Sequence, residues 1–482
     1  MNQIRVRFAP SPTGFLHIGG LRTALYDYLF AKHNNGKCIL RIEDTDQKRK
    51  VEGAVENLLH TFQELGLAFD EGPFIRGDYG PYFQSERLDI YQKYAEELVQ
   101  KGFAYYCFCT PETLEAMKNE QAEKKLSPKY DRRCLSLPPE DIKVRLAKGE
   151  NHVIRLKMPD EKIFIIDDLI RGKVEINSSQ SDDQVLIKAD GFPTYHLASV
   201  VDDHLMNISH VIRGEEWLSS TPKHLYLYEC FGWEPPVWVH LPLILNPDRS
   251  KLSKRMNDVS VESYLEKGYL KEAILNFVAL LGWRSDDEKE IYSLEELIKE
   301  FTLEKVNKAG AVFDLTKLDW MNGYYIRNLP LKDIAERCKI YFIHAGIDIS
   351  DEEKYLRVIE VARNYITTLP QILSHAEVFY KRNTLPPDTI FAVNNENTLN
   401  TLKWFIKELS SLDEFNLDMI KETINRGKQE LQLPAKQFYH PLYLALLYAA
   451  SGPNLAVDIY ALGKNETLER LKIMLNSLIS LQ

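Results

Sequence analysis

The sequence predicts an α/β fold in which a parallel sheet opens the chain, an insertion interrupts it and a helical region closes it. Ile4, Val6 and Phe8 alternate with polar residues, as in a short strand. A helical pattern then runs from Gly20 to Lys32, and residues 38–42 form an apolar run typical of a buried strand. Strand, helix and strand in such quick succession open a βαβ unit, whose strands are parallel.

Residues 88–180 do not continue this pattern, and we interpret them as an insertion of mixed α+β structure. They begin with an amphipathic helix and later contain strand-like pieces such as residues 152–157. The sheet pattern resumes at residues 184–187 and again at residues 209–213. The two halves of the sheet domain are therefore predicted to flank the insertion.

The sequence beyond Asn328 is predicted to be entirely helical. Apolar side chains with helical spacing predict one long helical face, made of Tyr355, Ile359, Ala362, Ile366 and Leu369. A later helix is predicted from Leu468, Leu471, Leu475 and Leu478, with Asn465 as its N-cap.

Composition narrows the class of protein. The chain has 482 residues, of which 44% are apolar and 27% charged, as in a globular protein of two to four packed units. No segment resembles a secretory signal or a membrane helix, and residues 273–283 are predicted to form a buried helix instead. Six unevenly spaced cysteines do not suggest a disulfide framework, which favours a reducing cytosol. A net charge of -10 mildly disfavours a nucleic-acid partner, although phosphate binding depends on a local basic face.

The first motif is the turn at residues 10–20, which contains His17, Gly19 and Gly20. A loop that leaves a strand and enters a helix gathers free N–H groups and the positive end of the helix dipole. The two glycines are expected to let a bulky ligand approach the backbone. An ordinary tight turn with a satisfied histidine explains this motif equally well.

The second motif is the segment 251–255, Lys-Leu-Ser-Lys-Arg, which places three cations and a hydroxyl within five residues. Taken alone, it is best explained as a solvated basic loop. The pair of motifs, however, resembles the two signatures of class I aminoacyl-tRNA synthetases, whose usual forms are His-Ile-Gly-His and Lys-Met-Ser-Lys-Ser. Further segments resemble the bacterial glutamyl-tRNA synthetases in particular: residues 7–14, 40–46, 194–198, 201–204, 211–217 and 317–322.

This resemblance implies a doubly wound, Rossmann-like parallel sheet as the catalytic domain, followed by a helical anticodon-binding domain. It also implies a monomeric cytoplasmic enzyme, not bound to a membrane, that joins L-glutamate to tRNA(Glu). The predicted division is residues 1–87 and 181–250 for the catalytic domain, 88–180 for an insertion that binds the tRNA acceptor end, 251–327 for a linking helical segment and 328–482 for the anticodon-binding domain. Whether tRNA(Gln) is charged as well depends on anticodon contacts that the sequence does not assign.

The implied reaction has two steps, formation of glutamyl-adenylate from ATP and transfer of glutamate to the terminal adenosine of the tRNA. Adenylate formation needs positioning and charge stabilisation at the phosphates, helped by Mg²⁺. The catalytic residues implied are His17, Lys251, Ser253 and Lys254. The ATP-binding residues implied are Ser11, His17, Gly19, Gly20, Glu216, Lys254 and Arg255.

A glutamate pocket needs both signs of charge. Arg7 and Arg213 each offer a planar fork to a carboxylate, Glu43 can receive the α-ammonium group and Tyr195 can donate its hydroxyl to the side chain. The full set that the resemblance implies is Arg7, Ala9, Ser11, Glu43, Tyr195, Ser199 and Arg213. Ser199 is a departure, because the family usually has asparagine there.

A third candidate site is a zinc cluster of Cys107, Cys109, Tyr130 and Cys134. Some family members bind structural zinc in this insertion through three cysteines and a histidine, but Ser136 occupies the histidine position here. Tyr130 is an alternative fourth ligand, as in a related tRNA-modifying branch. Three converging thiolates favour zinc, whereas three ordinary free cysteines are the simpler alternative.

Four other functions deserve comparison. A tRNA-modifying glutamyl transferase typically lacks the helical C-terminal third, and a glutamine-specific ligase does not normally keep an arginine at position 213. A nucleotidyltransferase shares the histidine–glycine turn but needs neither the helical tail nor the pair Glu43 and Arg213. A catalytically inactive tRNA-binding protein would not need to keep His17 and Lys254.

Overall fold

The chain divides into two units, each of which we describe by itself. The computed structural model describes residues 3–75, 77–126, 129–252, 260–452 and 454–481. The first unit comprises Met1–Leu265 and Lys271–Leu315, and the second comprises Glu266–Leu270 and Thr316–Gln482. The predicted division into four segments is finer than this and stays a prediction. Among the described residues, no helix is both long enough and apolar enough to cross a bilayer.

The strands all lie in the first unit of the described chain. In chain order they are β1 Arg5–Phe8, β2 Lys37–Leu40, β3 Ala104–Cys107, β4 Val153–Leu156, β5 Ile163–Asp168, β6 Gly172–Asn177, β7 Val185–Ile187, β8 His210–Gly214, β9 Val237–Leu241, β10 Ile244–Leu245 and β11 Ala311–Val312. The helices up to the end of this unit are α1 Ile18–His33, α2 Ala54–Leu65, α3 Leu88–Gln100, α4 Pro111–Glu123, α5 Pro139–Ala147, α6 Tyr195–Leu205, α7 Thr221–Phe231, α8 Val261–Glu266, α9 Lys271–Ala279 and α10 Leu294–Glu300.

Parallel pairing brings the ends of several strands to one edge. β1 pairs in parallel with β2, and β8 pairs in parallel with β9. A backbone hydrogen bond of 2.9 Å from Ser209 N–H to the Arg5 carbonyl joins β1 to the chain entering β8. Parallel strands end at the same edge of a sheet, where open α/β folds bind their ligands. The predicted parallel sheet is therefore confirmed, and it carries Arg7, Glu43 and Arg213 towards a common edge.

The sheet is mixed, because a hairpin from residues 88–180 joins it. β5 and β6 are antiparallel, and β5 then pairs in parallel with β9 to give the order β6-β5-β9-β8. β3 and β4 of the insertion form a separate antiparallel sheet with β7, in the order β3-β4-β7. Residues 184–187, which we predicted to resume the main sheet, therefore belong to this second sheet, because β7 pairs with β4. A small core packs beside this second sheet, made of Tyr105, Cys107, Met117, Tyr130 and Cys134. The insertion thus has the predicted α+β character, while part of it belongs to the main sheet.

The regular secondary structure of the second unit is entirely helical within its described residues, as predicted. Its helices are α11 Leu315–Asn328, α12 Leu331–His344, α13 Glu352–Ala362, α14 Ile372–Tyr380, α15 Pro387–Ala392, α16 Glu396–Ser410, α17 Leu417–Leu431, α18 Ala435–Leu447, α19 Leu455–Leu462 and α20 Lys464–Ile479.

Two helix boundaries in this unit were predicted wrongly. The long face from Tyr355 does not continue to Leu369, because α13 ends at Ala362 and Ile366 is extended. Asn465 is not an N-cap, since α20 already begins at Lys464. Gly463, with φ 77°, forms a tight link between α19 and α20, which only a residue without Cβ adopts easily. The predicted buried helix at residues 273–283 exists, although α9 ends at Ala279.

Candidate functional site

The turn after β1 is built around the side chain of His17. His17 is the N-cap of α1, and its Nδ1 accepts a hydrogen bond of 3.1 Å from the Gly20 N–H. An accepting Nδ1 carries no hydrogen, so the neutral ring has its hydrogen on Nε2. A Cβ on Gly19 would lie 3.1 Å from both Cε1 and Nδ1 of this ring. Gly19 thus makes room for the imidazole, in addition to its predicted role of admitting a ligand.

The basic segment follows a short hairpin after β10. Leu252 N–H donates to the Ile244 carbonyl at 2.9 Å, and Lys251 is exposed beside it. Ser253, Lys254 and Arg255 lie outside the described residues, so their predicted roles stay predictions.

Four buried charged side chains gather at the ends of β1, β2 and α6. Asp203 accepts from Arg7 Nε at 3.0 Å and from Arg41 Nη1 at 2.8 Å. Arg41 also donates to Glu43 at 3.0 Å. These four residues are 6% exposed or less. Arg7 and Glu43, which sequence reasoning assigned to one pocket, therefore do lie in one cluster, whereas the connecting roles of Arg41 and Asp203 were missed.

The charges of this cluster shift one another's protonation. Burial raises the pKa of Glu43 to about 7, although Arg41 and Arg7 oppose that rise. Burial also acts to raise the pKa of Asp203, but the guanidinium groups of Arg7 and Arg41 hold it below its ordinary value. Asp203 is thus ionised at neutral pH between two arginines, while Glu43 titrates near neutral pH.

Ser199 belongs to the same buried cluster as Asp203. It is 1% exposed, and its hydroxyl donates to Asp203 at 3.4 Å, one helical turn further along α6. Nearby Asp27 on α1 is fully buried, and neither of its carboxylate oxygens has a hydrogen-bond partner among the described residues. Burial raises the pKa of Asp27 well above its ordinary value, because the charged form is poorly solvated there.

Arg213 lies at the end of β8 and is held by neutral acceptors. It is 5% exposed. Its Nε donates to His240 Nε2 at 3.0 Å, its Nη1 to Tyr195 Oη at 3.0 Å and to His224 Nδ1 at 3.1 Å, and its Nη2 to Thr221 Oγ1 at 2.9 Å. Within the described part of the chain, no carboxylate pairs with this guanidinium. An arginine buried without a counter-ion is suited to receive an anionic ligand.

The predicted residue Tyr195 lies beside this arginine, and Glu216 lies further along the chain, after the end of β8. Tyr195 is half-buried, and its ring centroid lies 4.3 Å from that of Trp217. Since Tyr195 Oη accepts from Arg213, its own hydrogen remains available to a ligand. The exposed carboxylate of Glu216 lies against Gly214, where any larger residue would displace it. Ser11 is exposed in the loop after β1, and Ala9 is half-buried.

The insertion brings Cys107, Cys109, Tyr130 and Cys134 together as predicted. The three sulfur atoms lie within 4.8 Å of one another, with 3.6 Å between those of Cys109 and Cys134. Tyr130 Oη lies 3.2 Å from Cys107 Sγ and 3.3 Å from Cys109 Sγ. Four ligands with bonds of about 2.3 Å around a tetrahedral ion are themselves about 3.8 Å apart. The set therefore fits the size of a zinc site.

Burial and crowding oppose the ionisation of Cys109 when no cation lies among the thiols. Burial is the main cause that raises the pKa of Cys109 to about 12, and the neighbouring Cys107 and Cys134 add to it. Several thiolates in one small space repel each other unless a positive ion lies between them.

Comparisons with known proteins agree with this geometry. Residues 3–320 match the family described as "tRNA synthetases class I (E and Q), catalytic domain", and residues 333–475 match "Anticodon binding domain". The chain is 48% identical to a glutamate–tRNA ligase of Chloroherpeton thalassium, over 97% of each chain. It is 45% identical to one of Finegoldia magna, over 99% of this chain and 100% of that relative.

A solved structure extends the likeness to three dimensions. It is that of a glutamate tRNA ligase from Elizabethkingia meningosepticum in complex with its amino acid, with a TM-score of 0.89 and 40% identity over 99% of this chain and 100% of that one. The two matching domains, the relatives and this structure all indicate one family. The chain therefore belongs to the glutamate–tRNA ligases, a family of class I tRNA synthetases.

Proposed function

We propose that this chain activates L-glutamate with ATP and transfers it to the 3′-terminal adenosine of tRNA(Glu). The observation that carries the proposal is Arg213, a buried guanidinium with neutral partners at the edge where parallel strands end. Glutamate supplies the side-chain carboxylate that this arginine lacks. A glutamine-specific ligase has no use for such a charge, because a neutral amide would leave the guanidinium uncompensated.

In the proposed pocket, glutamate contacts two groups of residues, one around Arg213 and the other around Glu43. Arg213 and Tyr195 receive the side-chain carboxylate, while Glu43 in its ionised form receives the α-ammonium group. Arg7 contributes its remaining N–H groups, but Asp203 already balances much of its charge at 3.0 Å. Ser199 acts through Asp203, since its hydroxyl donates there. Ala9 and Ser11 complete the pocket wall in the loop after β1.

Adenylate formation uses the turn after β1 and the basic segment. His17 presents its Nε2–H to the phosphates, because its Nδ1 is occupied by the Gly20 N–H. Gly19, Gly20 and Glu216 line the nucleotide site, and Lys251, Ser253, Lys254 and Arg255 supply cations and a hydroxyl to the triphosphate. Mg²⁺ would neutralise the leaving pyrophosphate.

The direct test is aminoacylation of purified tRNA(Glu) and tRNA(Gln) side by side, with glutamate and with glutamine as the amino acid. We expect glutamyl-tRNA(Glu) to form and glutaminyl-tRNA not to form. Charging of tRNA(Gln) with glutamate would identify a ligase that accepts both tRNAs. Glutaminyl-tRNA as the main product would refute the proposal.

We further infer a monomer that works in the cytoplasm. The described cysteines are all free thiols, which suits a reducing compartment. They are Cys38, Cys107, Cys109, Cys134, Cys230 and Cys338. Size-exclusion chromatography with light scattering measures the oligomeric state.

A structural zinc ion is expected at Cys107, Cys109, Tyr130 and Cys134. Elemental analysis of protein purified without chelator should give about one zinc per chain, since three thiolates with a phenolate complete a tetrahedral set. Cys109→Ser should lose the metal, whereas the control Cys338→Ser in α12 should keep it. Tyr130→Phe should weaken zinc retention against a chelator. Metal-free protein with unchanged stability would show that these thiols are ordinary.

The titration of Glu43 predicts a pH dependence for glutamate binding. The carboxyl group is neutral below its pKa of about 7 and ionised above it, and only the ionised form attracts an ammonium group. The KM for glutamate in pyrophosphate exchange should therefore fall about tenfold as the pH rises from about 6 to about 8.

Two controls isolate this effect. The KM for ATP should stay level over the same pH range, and Glu43→Gln should abolish the slope for glutamate while raising KM throughout. A slope that survives in Glu43→Gln would assign the titration to another group.

A further inference from the structure

Two hydrogen-bonded chains lead from Arg213 into the protein interior. In the first, Arg213 Nε donates to His240 Nε2 at 3.0 Å, and His240 Nδ1 lies 2.6 Å from Asp168 Oδ2. In the second, Arg213 Nη1 lies 3.1 Å from His224 Nδ1, and His224 Nε2 lies 2.9 Å from His196 Nδ1. His224 and His240 are completely buried, and Asp168 is 4% exposed. None of these four partners belongs to the glutamate-binding set proposed above.

Because arginine only donates hydrogen bonds, its contacts determine which ring nitrogen of His240 and of His224 carries the hydrogen. A guanidinium only donates, so His240 Nε2 and His224 Nδ1 must be bare acceptors. The hydrogen of His240 is then on Nδ1 and points to Asp168, and that of His224 is on Nε2 and points to His196. Both rings are therefore neutral. Burial agrees with this, because it lowers the pKa of His240 and holds that of His224 well below its ordinary value.

Asp168, at the inner end of the first hydrogen-bonded chain, is held in place by backbone groups. Its Oδ1 accepts from the Ile170 N–H at 3.0 Å and the Arg171 N–H at 2.7 Å, and its Oδ2 accepts from the His240 N–H at 3.0 Å. The carboxylate is thus fixed in place by three backbone groups. His240 separates this negative charge from Arg213, so the guanidinium is oriented without being neutralised.

We propose that Asp168, His240 and His224 are positioning residues that set the specificity for glutamate by fixing the plane of Arg213 through neutral acceptors. A carboxylate bound directly to Arg213 would orient it equally well but would compete with the ligand. Imidazole acceptors avoid that competition and leave the charge of the guanidinium for the side-chain carboxylate. The inference rests on the proposed function of Arg213 and extends it to residues that do not touch the ligand.

A matched pair of variants at position 240 separates the two contacts of that histidine. In His240→Asn the shorter amide retains a donor for Asp168 and loses the acceptor for Arg213. In His240→Gln the longer amide places its oxygen near the former Nε2 and restores that acceptor. We expect His240→Asn to raise the KM for glutamate about tenfold or more, the usual scale for an outer-shell partner. His240→Gln should recover part of this loss, and Asp168→Asn should resemble His240→Asn.

The readouts distinguish positioning from general damage. The kcat at saturating glutamate and the KM for ATP should stay close to wild type, and the preference for glutamate over glutamine should shrink. His210→Asn, at the far end of β8, is the control and should change none of these values. A lower kcat, a raised KM for ATP as well as for glutamate and a lower melting temperature would together mean a structural role only and would overturn the inference.

The Arg213→Ala variant separates this inference from the function on which it rests. A raised glutamate KM in Arg213→Ala, combined with a normal KM in His240→Asn and Asp168→Asn, would refute positioning and leave the proposed function intact. A normal glutamate KM in Arg213→Ala would refute both.

Discussion

Arg213→Ala should lower kcat/KM for glutamate by about 10³-fold while that for glutamine changes little, because truncating one partner of a buried charged contact costs about 2–5 kcal/mol. The guanidinium is 5% exposed and is held only by neutral acceptors among the described residues, so its charge is available to the ligand. Glutamine makes no use of that charge and loses little when it is removed. Pyrophosphate exchange with both amino acids and the same tRNA measures the change.

Two further variants sharpen this measurement. Arg213→Lys should recover only part of the loss, since an ammonium group lacks the planar fork that several neutral acceptors hold here. Arg145→Ala removes a partly exposed arginine that pairs with Glu150 in the insertion, and should leave kcat/KM for both amino acids unchanged. If Arg213→Ala kept its full preference for glutamate, Arg7 and Tyr195 would have to provide the discrimination.

Asp203→Asn should lower the free energy of unfolding of the first unit by about 3–5 kcal/mol, the cost of leaving buried charges without their partner. Asp203 is the anion between Arg7 and Arg41, which are 3% and 0% exposed. An amide of the same size keeps the shape but removes the charge that balances Arg7 and part of the charge that balances Arg41, which also pairs with Glu43. Urea denaturation followed by fluorescence measures the loss.

The pH dependence of this effect has a defined sign. The folded pKa of Asp203 lies below its ordinary value, so the stabilisation is present above the unfolded pKa and is lost as the pH falls through the folded pKa. The difference between wild type and variant should thus be largest near neutral pH and narrow in acid. Asp70→Asn is the control, because its half-exposed pair with Lys32 is expected to contribute about 1 kcal/mol or less. An equal loss in both variants would argue against a special role for Asp203.

Local sequence patterns correctly predicted the elements that are determined by residues close together in the chain. The alternation at β1, the helical stripe of α1 and the spacing of Cys107 and Cys109 are all local, and each element was found where it was expected. The sheet edge followed from topology, which brought Arg7, Glu43 and Arg213 into the region predicted for them. Their individual roles in binding stay predictions.

What the sequence did not reveal depends on contacts between distant segments. Asp168 and His240 are 72 positions apart, and no local pattern links an aspartate at the end of one strand to a histidine in another. The wrong N-cap at Asn465 has a different cause. Asparagine before an apolar run is a good local signal, but the tight link at Gly463 moved the start of α20 to Lys464.

The pairing of β5 with β9 determines how this protein can be recombined with its relatives. A chimaera cut at residues 88 and 180 would exchange β5 and β6 together with the cysteine cluster, and the foreign hairpin would have to complete the host's main sheet. It would also replace Asp168, whose carboxylate sets the tautomer of His240 beside Arg213. A graft that ends between Leu156 and Ile163 would instead leave β5, β6 and Asp168 with the host, because both strands lie beyond that junction. The pocket proposed to select the amino acid would therefore be inherited in part with a segment that the family resemblance assigns to tRNA binding.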